Sequence, residues 1–184
     1  LRHSFDEETE LSVTHGNITF DTWLTKPFIN QDLRERLKSA NVLILPREGF
    51  GDYCGPLFPE GTEELFEYLR ANSPEELIVD ACIADDDFKT LSLHSDLIRL
   101  GAFLVSSVVL PVFLNLISSY VFEKVYSRKD DALVEFEMTV VRAGEVSTSV
   151  KFKGPVDTFK STLCDKIDDL LGRRGRANAP DEPQ

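Results

Sequence analysis

Hydrophobic residues in this chain follow two kinds of spacing, and each predicts elements. From Leu133 to Val141, Val134, Phe136, Met138 and Val140 alternate with Glu135, Glu137 and Thr139, the period of two of a half-buried strand. A second strand, 145–152, follows the Ala143-Gly144 turn, so the pair reads as a C-terminal antiparallel hairpin. Val42, Leu43, Ile44 and Leu45 run without interruption inside 41–46, as expected of a strand buried on both faces. Residues 76–83 predict another strand. Residues 11–20 alternate around His15-Gly16 and predict two short strands joined by a tight turn.

Helical spacing marks three further segments. Asn30 can cap a helix over 31–39, with Leu33 and Leu37 on one side. Thr62 is placed to cap a helix over 63–71, and Glu63 and Glu64 suit the positive end of its dipole. Pro155 opens a final helix reaching Leu171, with Val156, Phe159, Leu163, Ile167 and Leu170 along one stripe.

Between these lies a run, 100–122, without one charged side chain. On a helix its first half, with the flank before it, gathers Ser95, Asp96, Arg99, Ser106 and Ser107 opposite Leu97, Leu100, Leu104 and Val108. Beyond Pro111 the polar side becomes Asn115, Ser118, Ser119 and Glu123, against Val112, Phe113, Leu116 and Ile117. The expectation is one long helix, about 90–126, kinked near Pro111, with Val108 and Leu116 buried and Ser118 at a solvent edge. Its length also admits a membrane span, in which small and hydroxyl residues pack against other helices. Polar sectors continuous with charged flanks favour burial within the fold.

Together these elements predict an α+β fold: a mixed sheet holding the Val42 and Val79 strands and the late hairpin, covered by the long helix and the C-terminal helix. One domain is expected over 1–172, with 173–184 a flexible C-terminal tail. The 184 residues are 42% hydrophobic, enough for a substantial core. A formal charge of −12 argues against tracking nucleic-acid phosphates, and acidic partners are disfavoured too. The acidic excess sits in Asp6-Glu7-Glu8, Glu60 to Glu67 and Asp85-Asp86-Asp87, whereas Arg173 and Arg174 make the tail locally basic. Cys54, Cys82 and Cys164 form no CxxC arrangement, and Leu1 to Glu10 is too acidic for a signal peptide. The expected setting is cytoplasmic, with membrane association the alternative.

The best chemical candidate is the glycine-rich segment from Gly49 to Gly61. Gly49, Gly51 and Gly55 would let backbone amides approach a ligand, with Thr62 at the following helix start. Neither GxGxxG nor a phosphate-loop ending is present, and Asp52, Glu60, Glu63 and Glu64 repel phosphate. Within this segment Gly55-Pro56-Leu57-Phe58 resembles the Gly-Pro-Leu-Phe that follows the first strand of nucleoside deoxyribosyltransferases, a flavodoxin-like family. The resemblance implies N-glycosidic bond cleavage with Glu64 or Glu60 as nucleophile and Tyr53 as a positioning group. It spans four residues, and the family's later acidic catalytic segment has no counterpart here.

Other candidates are weaker. Cys54 lies near Asp52 but has no histidine base in sequence reach, Asp80 and Asp85 to Asp87 match no calcium loop, and His94 has no facing carboxylate. No serine sits in a Gly-x-Ser-x-Gly elbow. No metal or cofactor is expected. The leading expectation is therefore a non-catalytic interaction or regulatory module, docking on another protein or on itself through Asn115, Ser118, Ser119, Glu123, Arg173 and Arg174. A membrane effector inserting 100–122 and a nucleoside- or nucleotide-processing enzyme using the Gly49–Gly61 loop are the alternatives.

Overall fold

A computed structural model describes residues 9–93, 96–144 and 146–171. The expectations for Asp6 to Glu8, His94, Ser95, Glu145, Arg173, Arg174, the domain end at 172 and the tail 173–184 lie outside the described residues. The chain forms β1 (Glu10–Gly16), α1 (Phe20–Leu24), α2 (Gln31–Leu37), β2 (Val42–Leu45), β3 (Phe58–Pro59), α3 (Thr62–Asn72), β4 (Val79–Ala81) and β5 (Thr90–Leu91). It continues with β6 (Leu97–Ser106), α4 (Leu110–Tyr120), β7 (Leu133–Val141), β8 (Ser147–Pro155), α5 (Phe159–Cys164) and α6 (Ile167–Leu170). The fold is α+β, built on a six-stranded mixed sheet in the order β1-β8-β7-β6-β2-β4. β6–β7 and β2–β4 are parallel, and the remaining neighbours are antiparallel. β3 and β5 form a small parallel pair outside it.

The long helix expected over 90–126 does not form. Its first half is β6, a central strand whose Phe103 and Val105 enter one apolar cluster while Leu104 enters the other. A strand covered on both faces has no alternation, so its composition reads equally well as a buried helix. Pro111 does not kink a helix either. It stands in the first turn of α4, where its missing N–H removes no internal bond. Val108, in the turn between β6 and α4, is 85% exposed rather than buried. Among the described residues no helix is long and apolar enough to cross a membrane.

β6 also carries a bulge. Arg99 faces Glu135 and Ala102 faces Glu137, so three steps on β6 match two on β7. Gly101 within it takes φ +94°, a conformation that a side chain would strain. The bulge restores parity, leaving Leu100 and Phe103 in the same apolar cluster.

One face of the sheet packs on α3, α4 and α5. Phe136 stands at its centre, 5.4 Å by ring centroid from both Phe103 and Phe159, and Phe103 lies 5.2 Å from Phe113. Each such buried ring contributes about 1.5–3 kcal/mol through burial, with about 1 kcal/mol more per well-oriented ring pair. On the other face α1 and α2 place Leu24, Leu33 and Leu37 against Leu43 and Leu104. The Asn30 side chain caps α2, accepting the Leu33 N–H at 2.8 Å.

Two other expectations change. Residues 11–20 give one strand, because β8 continues to pair through Gly16; Thr19 then caps α1 instead of opening a second strand. The helix expected from Pro155 to Leu171 is divided into a 3-10 turn at Val156–Thr158, α5 and α6.

Candidate functional site

The Gly49–Gly61 segment is a folded arm. Arg47 and Leu57 bridge antiparallel, Phe50 and Tyr53 close a turn, and Phe58 stacks on Phe88 at 4.8 Å. Gly49 and Gly51 take φ +65° and +57°, as the turn demands, while Gly55 lies so close beneath the Tyr53 ring that a Cβ would meet it at 2.7 Å. These glycines shape the arm. Thr62 does not cap α3: the N-cap is Gly61 in the left-handed region, and the buried Thr62 hydroxyl donates to the Pro59 carbonyl at 2.7 Å.

The enzyme candidates divide between two places. Glu60 and Glu64 line a recess of about 190 Å³ with Tyr120, Lys124 and Arg128, whereas Tyr53 and Cys54 are exposed on the arm and do not line it. Glu60 accepts a hydrogen bond from Ser92 Oγ, and Glu64 pairs with Arg128 at 3.2 Å. Burial, then the Glu64 charge, push the Tyr120 phenol up to about 12, against the opposing pull of Arg128; at neutral pH it stays protonated. With β6 antiparallel to β2, the sheet also differs from the parallel flavodoxin-like arrangement that the Gly-Pro-Leu-Phe resemblance implies.

The expected interaction residues fall on α4 and the π-helical turn Val121–Tyr126 that extends it. Asn115 and Glu123 are exposed and Ser119 is half-buried, but Ser118, expected at the solvent edge, is only 6% exposed. Ser118, Ser119 and Glu123 border a cleft of about 560 Å³ between this turn and the segment Val156–Lys160; Asn115 does not. Across its mouth Phe122 and Tyr126 stack at 5.5 Å with their planes 11° apart, although they are 66% and 37% exposed. This ring pair is missing from the sequence reading. Its signal, two aromatics four apart beside a charged flank, disappears if the whole segment is taken as buried helix. Tyr68 packs edge-on against Tyr120 at 5.2 Å, and its phenol is raised by burial first, then by the charge of Glu123 and a hydrogen bond with it.

A wider groove, about 900 Å³, lies over the uncovered part of the sheet's other face. Its floor carries cross-strand rows of side chains, Arg99–Glu135–Lys153–Glu10 being one. Lys151 pairs with Glu137 at 3.5 Å and Arg47 with Glu135 at 3.7 Å. Opposite charges meet their complements within the floor, which makes it a self-neutralised, hydrated surface.

Asp85 to Asp87 form a 3-10 turn in which Asp85 pairs with Arg36, and among the described residues no group of three or more His, Cys, Asp or Glu side chains could hold a metal ion. Cys82 is buried, and burial followed by the Asp80 charge pushes its thiol up to about 12, the opposite of an activated nucleophile. Comparison with protein-family models, curated proteins and solved structures finds no match.

Proposed function

We propose that the chain is a non-catalytic protein-interaction module that docks a partner at the cleft between the Val121–Tyr126 turn and Val156–Lys160. The observation that carries this reading is the exposed Phe122–Tyr126 stack at the mouth of that cleft. Large aromatic rings held rigidly beside a recess are the usual anchors of protein interfaces, because they lose little entropy on binding and bury much area. A π-helical turn supports the same reading, since such turns recur at functional positions. Glu123, Asp157 and Lys160 supply a mixed-charge rim around the apolar centre, suited to an apolar side chain of the partner flanked by polar groups.

A photo-crosslinking residue at position 122 tests this in the full chain. It should capture one protein, the same one as a probe at 126, and neither probe at Ile78 nor at Val146 should do so. Against the captured partner, Phe122→Ala should weaken binding about tenfold or more at unchanged melting temperature, as expected of an anchor residue. Equal capture from all four positions, or full affinity after Phe122→Ala, would remove the cleft from the interface.

A further inference from the structure

The two edges of the six-stranded sheet are finished in opposite ways. At one, β4 has three residues, and Cys82, just after it, donates its N–H inward to the Ile44 carbonyl at 2.9 Å. By the alternation of a parallel ladder, the Ala81 N–H then points outward, where the Asp80 carboxylate accepts it at 2.8 Å. Arg36 closes over the same edge, pairing with Asp80 at 3.1 Å and donating to the Ile83 carbonyl at 3.2 Å. Short length, charge and side-chain capping are the devices that keep an edge from pairing with another chain.

β1, at the other edge, is longer, and its one acidic residue, Glu10, stands at its first position. It runs seven residues in unbroken register with β8 and contains no proline, lysine or bulge. Among the described residues, no group outside β8 hydrogen-bonds its backbone. Val13, at its midpoint, is 42% exposed.

We propose that β1 is a docking edge for a second copy of this chain, the two strands pairing antiparallel about Val13. In that register Val13 meets its twin, Ser12 meets Thr14, Leu11 meets His15, and Glu10 meets Gly16, so no like charges stand opposite each other. A parallel arrangement would set Glu10 against Glu10. The twofold contact closes on itself and joins the two sheets into one. Because each copy carries −12, the pairing works against net repulsion and should tighten as salt is added.

Sedimentation equilibrium of the full chain tests this from micromolar to hundreds of micromolar concentration. The apparent mass should climb from 20.8 kDa toward twice that value, further at high salt. Val13→Lys, which sets ammonium against ammonium on the dyad, should weaken association about tenfold or more, whereas Phe122→Ala should leave it unchanged. Should Val13→Lys fail to fold, hydrogen exchange on the unaltered chain decides: β1 amides not bonded to β8 should gain protection as concentration rises. A chain that stays at 20.8 kDa, a folded Val13→Lys that associates normally, or β1 amides indifferent to concentration each overturn the proposal. So does a dimer lost with Phe122→Ala but kept with Val13→Lys, because that places the contact at the cleft.

Discussion

β7 and β8 show opposite chemistries on their two faces. Toward α4 and α5 they turn Val134, Phe136, Met138, Val150 and Phe152, all but sealed from water; away from those helices they turn Glu135, Glu137, Lys151 and Lys153. Backbone, register and neighbours are shared. Only the parity of the residue number differs, and parity alone decides which side chains drive folding and which stay wet. On the closed face stability comes from area and ring packing. On the open face it comes from pairing each charge across the strands, which contributes far less.

The largest test of that difference is Phe136→Ala. Removing a ring that touches Phe103 and Phe159 leaves a cavity no neighbour can fill without moving, so the loss should be about 3–5 kcal/mol. Urea denaturation measures it directly. A loss below about 1 kcal/mol would mean that this face can collapse around the missing ring, and the contrast between faces would fail.

The contrast was legible in part of the sequence. Val134, Phe136, Met138 and Val140 alternate with acids because one face of β7 is wet, and a one-sided environment leaves its period in the residues. β6 has no such period, since α1 and α2 cover it on one side and α4 on the other; the same fact hides its identity as a strand. Pro111 misleads for a related reason: proline marks a helix start as readily as an interruption, and only the turn at Ser107–Val109, with Val108 in water, separates the two. Of the candidate site, Ser118, Ser119 and Glu123 fall in the polar sector expected of the long helix. Phe122 and Tyr126 do not, because an exposed aromatic and a core aromatic are the same letter in a segment taken as buried helix.

A second test asks how the two faces are kept distinct along β6. The bulge at Gly101 resets parity between Arg99, which lines the open groove, and Phe103, which lies in the closed core. Gly101→Ala forces a side chain into φ +94°, with Pro59 3.8 Å from the new Cβ. The contact is ordinary, so the cost is conformational and should be about 1–2 kcal/mol. Loss of several kcal/mol in the same denaturation assay would mean that the register of β6 had slipped, exposing one face's residues on the other.

The smallest effect belongs to the open face itself. Glu137 stands opposite Lys151 at 3.5 Å, with Lys151 largely and Glu137 partly in water, so Glu137→Lys exchanges a weak attraction for a weak repulsion. The expected loss is about 0.5–1 kcal/mol, shrinking as salt screens the pair. Adding Lys151→Glu to the same chain restores opposite charges in the reversed order, and stability should return to within about 0.3 kcal/mol of the starting protein if the rows act through cross-strand pairing. If the double variant is no better than Glu137→Lys, orientation matters as well as sign, because Glu135 and Lys153 flank the swapped pair diagonally on the same face. The groove floor would then be a network tuned as a whole, and its neutrality a property of position rather than of count.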